Sequence, residues 1–203
     1  MTSVGKSARD LTPAVLNRHQ YRKSMAAADQ RLCPGDRALV LILMGVVGAG
    51  KTTVGVLLAQ RLGWRFRDAD DFHPAQNIEK MRRGIELTDQ DRVPWLEALH
   101  SAIQQWNAAG ENVILACSAL KRGYRERLSV GPVRFVYLKG SHDLILSRLQ
   151  ARRGHFASAS ILDCQFADLE EPDDAIAVDL DKSPDAIVSE ILEKLGRLDP
   201  ATT

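Results

Sequence analysis

The chain of 203 residues has the length of one globular domain. Apolar residues make up 45% and charged residues 26%, which excludes global disorder. A formal net charge of +1 leaves no overall field that would draw the chain to nucleic acid or a membrane surface.

The cysteines Cys33, Cys117 and Cys164 have no CxxC spacing. They argue against a disulfide framework or structural zinc, and for a reducing, cytoplasmic setting. Residues 1–37 are polar and mildly basic with no sustained period, and read as a flexible N-terminal extension. Two alternatives stand beside that reading: a basic transit peptide, and a true start at Met25. The segment has no apolar stretch of the signal-peptide type.

Ala38–Met44 is a continuous β-branched and leucine run, the pattern of a strand buried on both faces of a parallel sheet, and far too short to span a bilayer. Lys51–Leu62 has helical apolar spacing and Gly63 fits its C-cap. Trp64–Asp68 reads as a second strand, Pro74–Arg83 as a helix and Thr88–Asp91 as a turn or cap. Arg92–Ala109 reads as a long helix with Leu96, Leu99, Ile103 and Trp106 on one face, tolerating Pro94 in its first turn. Then follow a strand at Asn112–Ala116, a basic helix at Ala119–Leu128, a strand at Val133–Leu138 and a helix at His142–Arg152. A strand at Ala177–Leu180, a helix at Pro184–Leu195 and a tail at 198–203 close the chain. Such alternation implies βαβ units and a parallel sheet. Ligands then bind beyond the carboxyl ends of the strands, at 45–53, 68–73 and 117–122.

The first of these segments, Gly45-Val46-Val47-Gly48-Ala49-Gly50-Lys51-Thr52, matches GxxxxGK[ST], the phosphate-binding P-loop, and Thr53 follows. A chance match is expected in roughly one chain in a hundred of this length. This one also sits between a buried strand and an amphipathic helix, as the motif requires. The glycines permit the turn, and the backbone N–H groups cradle phosphate oxygens at a helix N-terminus. Lys51 would neutralise the β- and γ-phosphates of ATP, and the Thr52 hydroxyl would join a Mg²⁺ shell.

The second segment is Asp68-Ala69-Asp70-Asp71-Phe72-His73. In an extended chain Asp68 and Asp70 share a face; one could hold Mg²⁺ and the other accept a proton from a substrate hydroxyl. Helix capping or solvated charge is the alternative, and His73 could bond substrate or cap. Cations cluster at Lys80–Arg83, at Lys121, Arg122 and Arg125, and at Arg152-Arg153. These suit an anionic substrate, or simply a solvated face. Arg152, followed by Gly154 and His155, fits a lid that brings an arginine to the transferring phosphoryl group, or a cation at a helix C-terminus. The strand at Asn112–Ala116 lacks a terminal Asp, which argues against motor-type and switch-type NTPases and leaves Asp68 as the nearest candidate metal carboxylate.

Seven stretches together resemble the gluconate kinase family of P-loop kinases, relatives of shikimate kinases: 44–55 (MGVVGAGKTTVG), 68–74 (DADDFHP), 77–96, 116–128, 135–140, 148–156 and 162–172 (LDCQFADLEEP). They run in family order from residue 38 to about 195. The resemblance implies an α/β, three-layer P-loop kinase fold: a central, mostly parallel five-stranded sheet with helices on both faces and a mobile lid. It places one domain at 38–197, with a substrate-binding helical segment near 72–109 and the lid near 152–168. It implies phosphorylation of D-gluconate on the 6-hydroxyl by ATP with Mg²⁺, and a homodimer, although no interface stripe stands out. Lys51, Asp70 and Arg152 would be catalytic; Gly45 to Thr53 would bind nucleotide; Thr52 and Asp68 would hold the metal. Asp70, His73, Lys80, Arg82, Arg92, Lys121, Arg125 and His155 would bind gluconate. The chain departs from the family pattern at Val47, Ala49, Glu86, Ala157-Ser158 and Cys164. Two other readings remain: a kinase for shikimate or a nucleoside monophosphate, and an ATP-binding regulator without phosphotransfer.

Overall fold

The computed structural model describes residues 38–151 and 159–198. Five strands form the sheet: β1 (Val40–Met44), β2 (Arg65–Asp68), β3 (Val113–Ala116), β4 (Val133–Lys139) and β5 (Ile176–Asp179). Their order is β2-β3-β1-β4-β5 and every pairing is parallel. The helices are α1 (Lys51–Leu62), α2 (Ala75–Arg82), α3 (Asp89–Ala108), α4 (Arg122–Leu128), α5 (His142–Ala151), α6 (Ala159–Asp168) and α7 (Pro184–Leu198).

The strand period of two divides the core. Leu41 and Leu43 of β1 face a layer with Val54 and Leu58 of α1, Ile145 and Leu149 of α5, and Ile187, Val188 and Ile191 of α7. Val40, Ile42 and Met44 face the opposite layer, with Trp95, Leu96, Leu99 and Ile103 of α3 and Leu128 of α4. Since all of β1 is buried, its apolar run does not alternate with polar residues. This is the expected three-layer α/β fold.

Several boundaries differ from the sequence reading. Helix α3 starts three residues earlier, at Asp89. Thr88 caps it, its hydroxyl accepting from Asp91 N–H while the Asp91 carboxylate accepts from Thr88 N–H. Pro94 therefore lies in the second turn, not the first. Helix α4 starts at Arg122 rather than Ala119, because Ala119 holds φ 43°, a left-handed conformation no helix can include. Residues 159–168, expected within a mobile lid, form helix α6.

Candidate active site

The P-loop runs from the end of β1 into α1. Gly50 at the helix N-cap has φ 85°, and Gly48 has φ 81°. A Cβ on Gly48 would lie 2.8 Å from Leu149 Cγ, so only glycine fits between the loop and α5. Lys51 Nζ donates to the carbonyls of Gly45 (2.9 Å) and Val46 (3.0 Å). Burial pushes its pKa below the ordinary lysine value, against the pull of Cys117, Asp70 and Asp68.

At the end of β2 the chain turns at once into a 3₁₀ segment, Ala69–Phe72. Asp68 caps it, its carboxylate accepting from Asp70 N–H at 3.1 Å. The two carboxylates are thus brought together by a cap and a tight turn, not by the strand alternation expected from sequence. Trp95 Nε1 donates to Ala69 O at 2.8 Å and pins the turn to α3. His73 stacks on the Trp95 ring, centroids 4.8 Å apart, and its Nε2 lies 3.9 Å from the Asp70 carboxylate. Burial pushes the Asp70 carboxyl above the ordinary range; the Asp68 charge adds to this and Lys51 opposes it. Burial and the nearby Arg92 charge lower the pKa of His73, favouring a neutral ring.

These groups line one cleft of about 510 Å³ at the carboxyl edge of the sheet, within the range of small-molecule sites. Val47, Gly48, Gly50, Lys51, Thr52 and Thr53 form its phosphate end. Asp68, Asp70, His73 and Arg92 line it too, as do Ile161, Cys164, Gln165 and Asp168 of α6.

The family model described as shikimate kinase matches residues 47–196. A probable gluconokinase of Xenopus tropicalis is 44% identical over 78% of this chain and 94% of its own length. The gluconokinase of Gluconobacter oxydans (strain 621H) is 46% identical over 78% of this chain and 92% of its own. The chain belongs to the gluconokinase family. A crystal structure of a gluconokinase from Sinorhizobium meliloti 1021 superposes with a TM-score of 0.73 at 40% identity, covering 82% of this chain and 95% of that one. The protein is accordingly an ATP-using kinase of the gluconokinase family.

The expected site residues divide by position. Gly45, Val46 and Ala49 are buried beneath the phosphate end, where their backbone shapes the loop. Of the basic residues, Arg92 lines the cleft, 3.3 Å from Tyr124 Oη and 3.9 Å from Asp168. Lys80 lies outside it, tied to Asp91 at 2.6 Å, and Arg82 pairs with Glu79 on the surface. Lys121 stands one contact behind, bridging Asp89 (2.8 Å) and Asp168 (3.5 Å). Arg125 is a correction. It is 7% exposed and its guanidinium donates to Ala119 O and Leu120 O, so it braces the loop holding the left-handed Ala119 instead of facing the cleft. Arg152 and His155 lie outside the described residues, as does the 1–37 extension.

Sequence reasoning missed Trp95, Gln165 and Asp168. The spacing of Ile161, Cys164, Gln165 and Asp168 was the available signal for the latter two, since it puts polar groups on one face of a helix. Trp95 carried no signal, because its ring belongs to the apolar face of α3.

Proposed function

We propose that the protein transfers the γ-phosphoryl group of ATP to the 6-hydroxyl of D-gluconate, giving 6-phospho-D-gluconate and ADP. One observation carries this reading: a single cleft joins the P-loop Lys51 to Asp70 and Arg92, in a chain 44–46% identical to gluconokinases.

The backbone of Gly45 to Thr53 and the N-terminus of α1 receive the phosphates. Arg92, with Lys121 behind it, attracts the gluconate carboxylate, and Lys80 and Arg82 lie at the outer rim of the substrate segment. His73, neutral and held on Trp95, offers a nitrogen to a sugar hydroxyl. Asp70, beside it, orients the attacking hydroxyl and takes its proton. The donor set fits Mg²⁺: among the described residues no all-protein metal cage occurs, whereas a hydroxyl (Thr52), a carboxylate (Asp68), phosphates and water are what this ion takes in kinase sites. When bound, the ion neutralises charge on the phosphates. Arg152 and His155 complete the proposal on family resemblance, as do a homodimer and a cytoplasmic location.

The test is ADP release by the purified protein with gluconate, shikimate or a nucleoside monophosphate as sole acceptor. Gluconate alone should give turnover, with the product phosphorylated at the 6-position by phosphorus NMR. Turnover with another acceptor would replace gluconate in the reading. Nucleotide binding without any acceptor-dependent ADP would leave a regulator instead of an enzyme.

A further inference from the structure

The P-loop donor at Val47 has a side-chain partner from helix α6. Gln165 Oε1 accepts the Val47 N–H at 2.6 Å, across 118 residues of sequence. A backbone N–H can only donate, so the atom meeting it is the carboxamide oxygen, which leaves the Nε2 donors on the other limb of the same planar group. A phosphate oxygen and this carboxamide oxygen are both acceptors, and both seek the same N–H. Phosphate arriving at the loop therefore displaces the Gln165 oxygen. The terminal carboxamide torsion is broad and roughly two-fold, so turning the group over costs little. After that turn a donor stands where the oxygen stood, facing the anion that displaced it.

Position decides which phosphate is read. One turn further along α6, Asp168 lies 3.9 Å from Arg92 and 3.5 Å from Lys121. Helix α6 therefore runs from the phosphate loop toward the acceptor-side cations, and Gln165 sits at the junction. In a transfer reaction the terminal phosphoryl group is the one nearest the acceptor.

We propose that Gln165 is a positioning residue that reads the terminal phosphoryl group of ATP, exchanging its bond from Val47 N–H for a bond donated by Nε2 to a γ-phosphoryl oxygen. The side chain thereby ties α6 to the triphosphate form of the nucleotide and is released by the diphosphate. The inference rests on the ATP-binding half of the functional reading and is independent of which acceptor is phosphorylated.

The experiment is calorimetric titration of the full chain with ADP and with the non-hydrolysable β,γ-imido analogue of ATP, both with Mg²⁺, for the parent protein, Gln165→Leu and Gln165→Glu. A hydrogen bond to a charged phosphate predicts about tenfold or greater loss of imido-ATP affinity in Gln165→Leu, with ADP affinity within about twofold of the parent. Gln165→Glu keeps an acceptor for Val47 but sets a negative charge against the γ-phosphoryl group, so its loss for imido-ATP should be larger and again selective. Equal losses for both nucleotides would reduce Gln165 to packing and overturn the proposal. Tighter binding of both would show that the side chain only competes for Val47, and would overturn it as well. No acceptor is present, so a wrong acceptor identity cannot produce either result.

Discussion

At the scale of single residues, Asp70 carries the sharpest conflict between stability and function. Burial within the cleft raises its pKa, Asp68 adds to the shift and Lys51 opposes it. Solvent damps the effect, since the side chain is 80% exposed. The direction still sets two expectations. A base must be ionised, so the acid limb of kcat/KM should lie above the usual carboxylate range. An acid whose folded pKa exceeds its unfolded value destabilises the fold once ionised, fully so above the folded pKa and not at all below the unfolded one. Asp70→Asn should therefore lower kcat by about 10²–10⁴-fold while raising Tm at neutral pH. The gain in Tm should vanish in acid, where the Asp70 carboxyl is neutral in the folded and the unfolded chain alike. Coupled assays and thermal melts across pH check both halves, and near-normal kcat in Asp70→Asn would remove Asp70 as the base.

Among the elements, the start of α3 gathers the most structure onto one side chain. The Asp91 carboxylate closes the capping box with Thr88 and takes Lys80 from α2 at 2.6 Å, while its carbonyl accepts from Asn77 at 2.7 Å. The bonds from Lys80 and Thr88 hold its pKa down at about 2. A depressed acid contributes stability above its unfolded pKa and loses it as pH falls toward the folded one. Asp91→Asn should lower the urea midpoint at pH 7, and the gap from the parent should narrow as pH falls from about 4 toward about 2. An unchanging gap would mean that packing, not charge, holds this corner. Sequence made much of this level legible. The apolar run of β1, the P-loop and the period of α1 and α3 are local signals, and local physics decided them. Thr88-Asp91 was read only as a turn or cap, since the same residues suit a free turn or a capping box. The late start of α4 depends on Ala119 being held left-handed by Arg125 from within α4 itself, a tertiary effect that no propensity registers. For the same reason Arg125 read as a substrate-binding cation: nothing in KRGYR tells a guanidinium facing a cleft from one satisfied by buried carbonyls. The α6 face was hidden by its resemblance to a lid segment.

On the scale of the whole molecule, the sheet order gathers charges that would otherwise be kept apart. The order β2-β3-β1 sets the loop after β1 and the turn after β2 on either side of the end of β3, all at one edge. Lys51 is thereby held close to Asp68, Asp70 and the buried Cys117, whose thiol burial pushes up to about 12. A neutral thiol and two carboxylates compensate the cation incompletely, as the lowered pKa of Lys51 records. Its Nζ is satisfied by the carbonyls of Gly45 and Val46, the loop that phosphate would enter. Nucleotide would supply the missing anion, so that a desolvated cation becomes a ligand-dependent support of the fold. Any ligand that binds only the folded state stabilises it by mass action, about 2.7 kcal/mol at a hundred times Kd. ADP with Mg²⁺ should accordingly raise the Tm of the parent protein. Lys51→Met replaces a charge whose desolvation lowers its folded pKa, and so costs the fold stability while it is ionised, with an apolar chain of similar length. Its Tm without nucleotide should match or exceed the parent's, while most of the ADP-induced rise disappears. Thermal melts with and without ADP measure both quantities in one experiment. A variant that melts far below the parent yet keeps the full ADP shift would show that Lys51 supports the loop and leaves phosphate binding to the backbone amides.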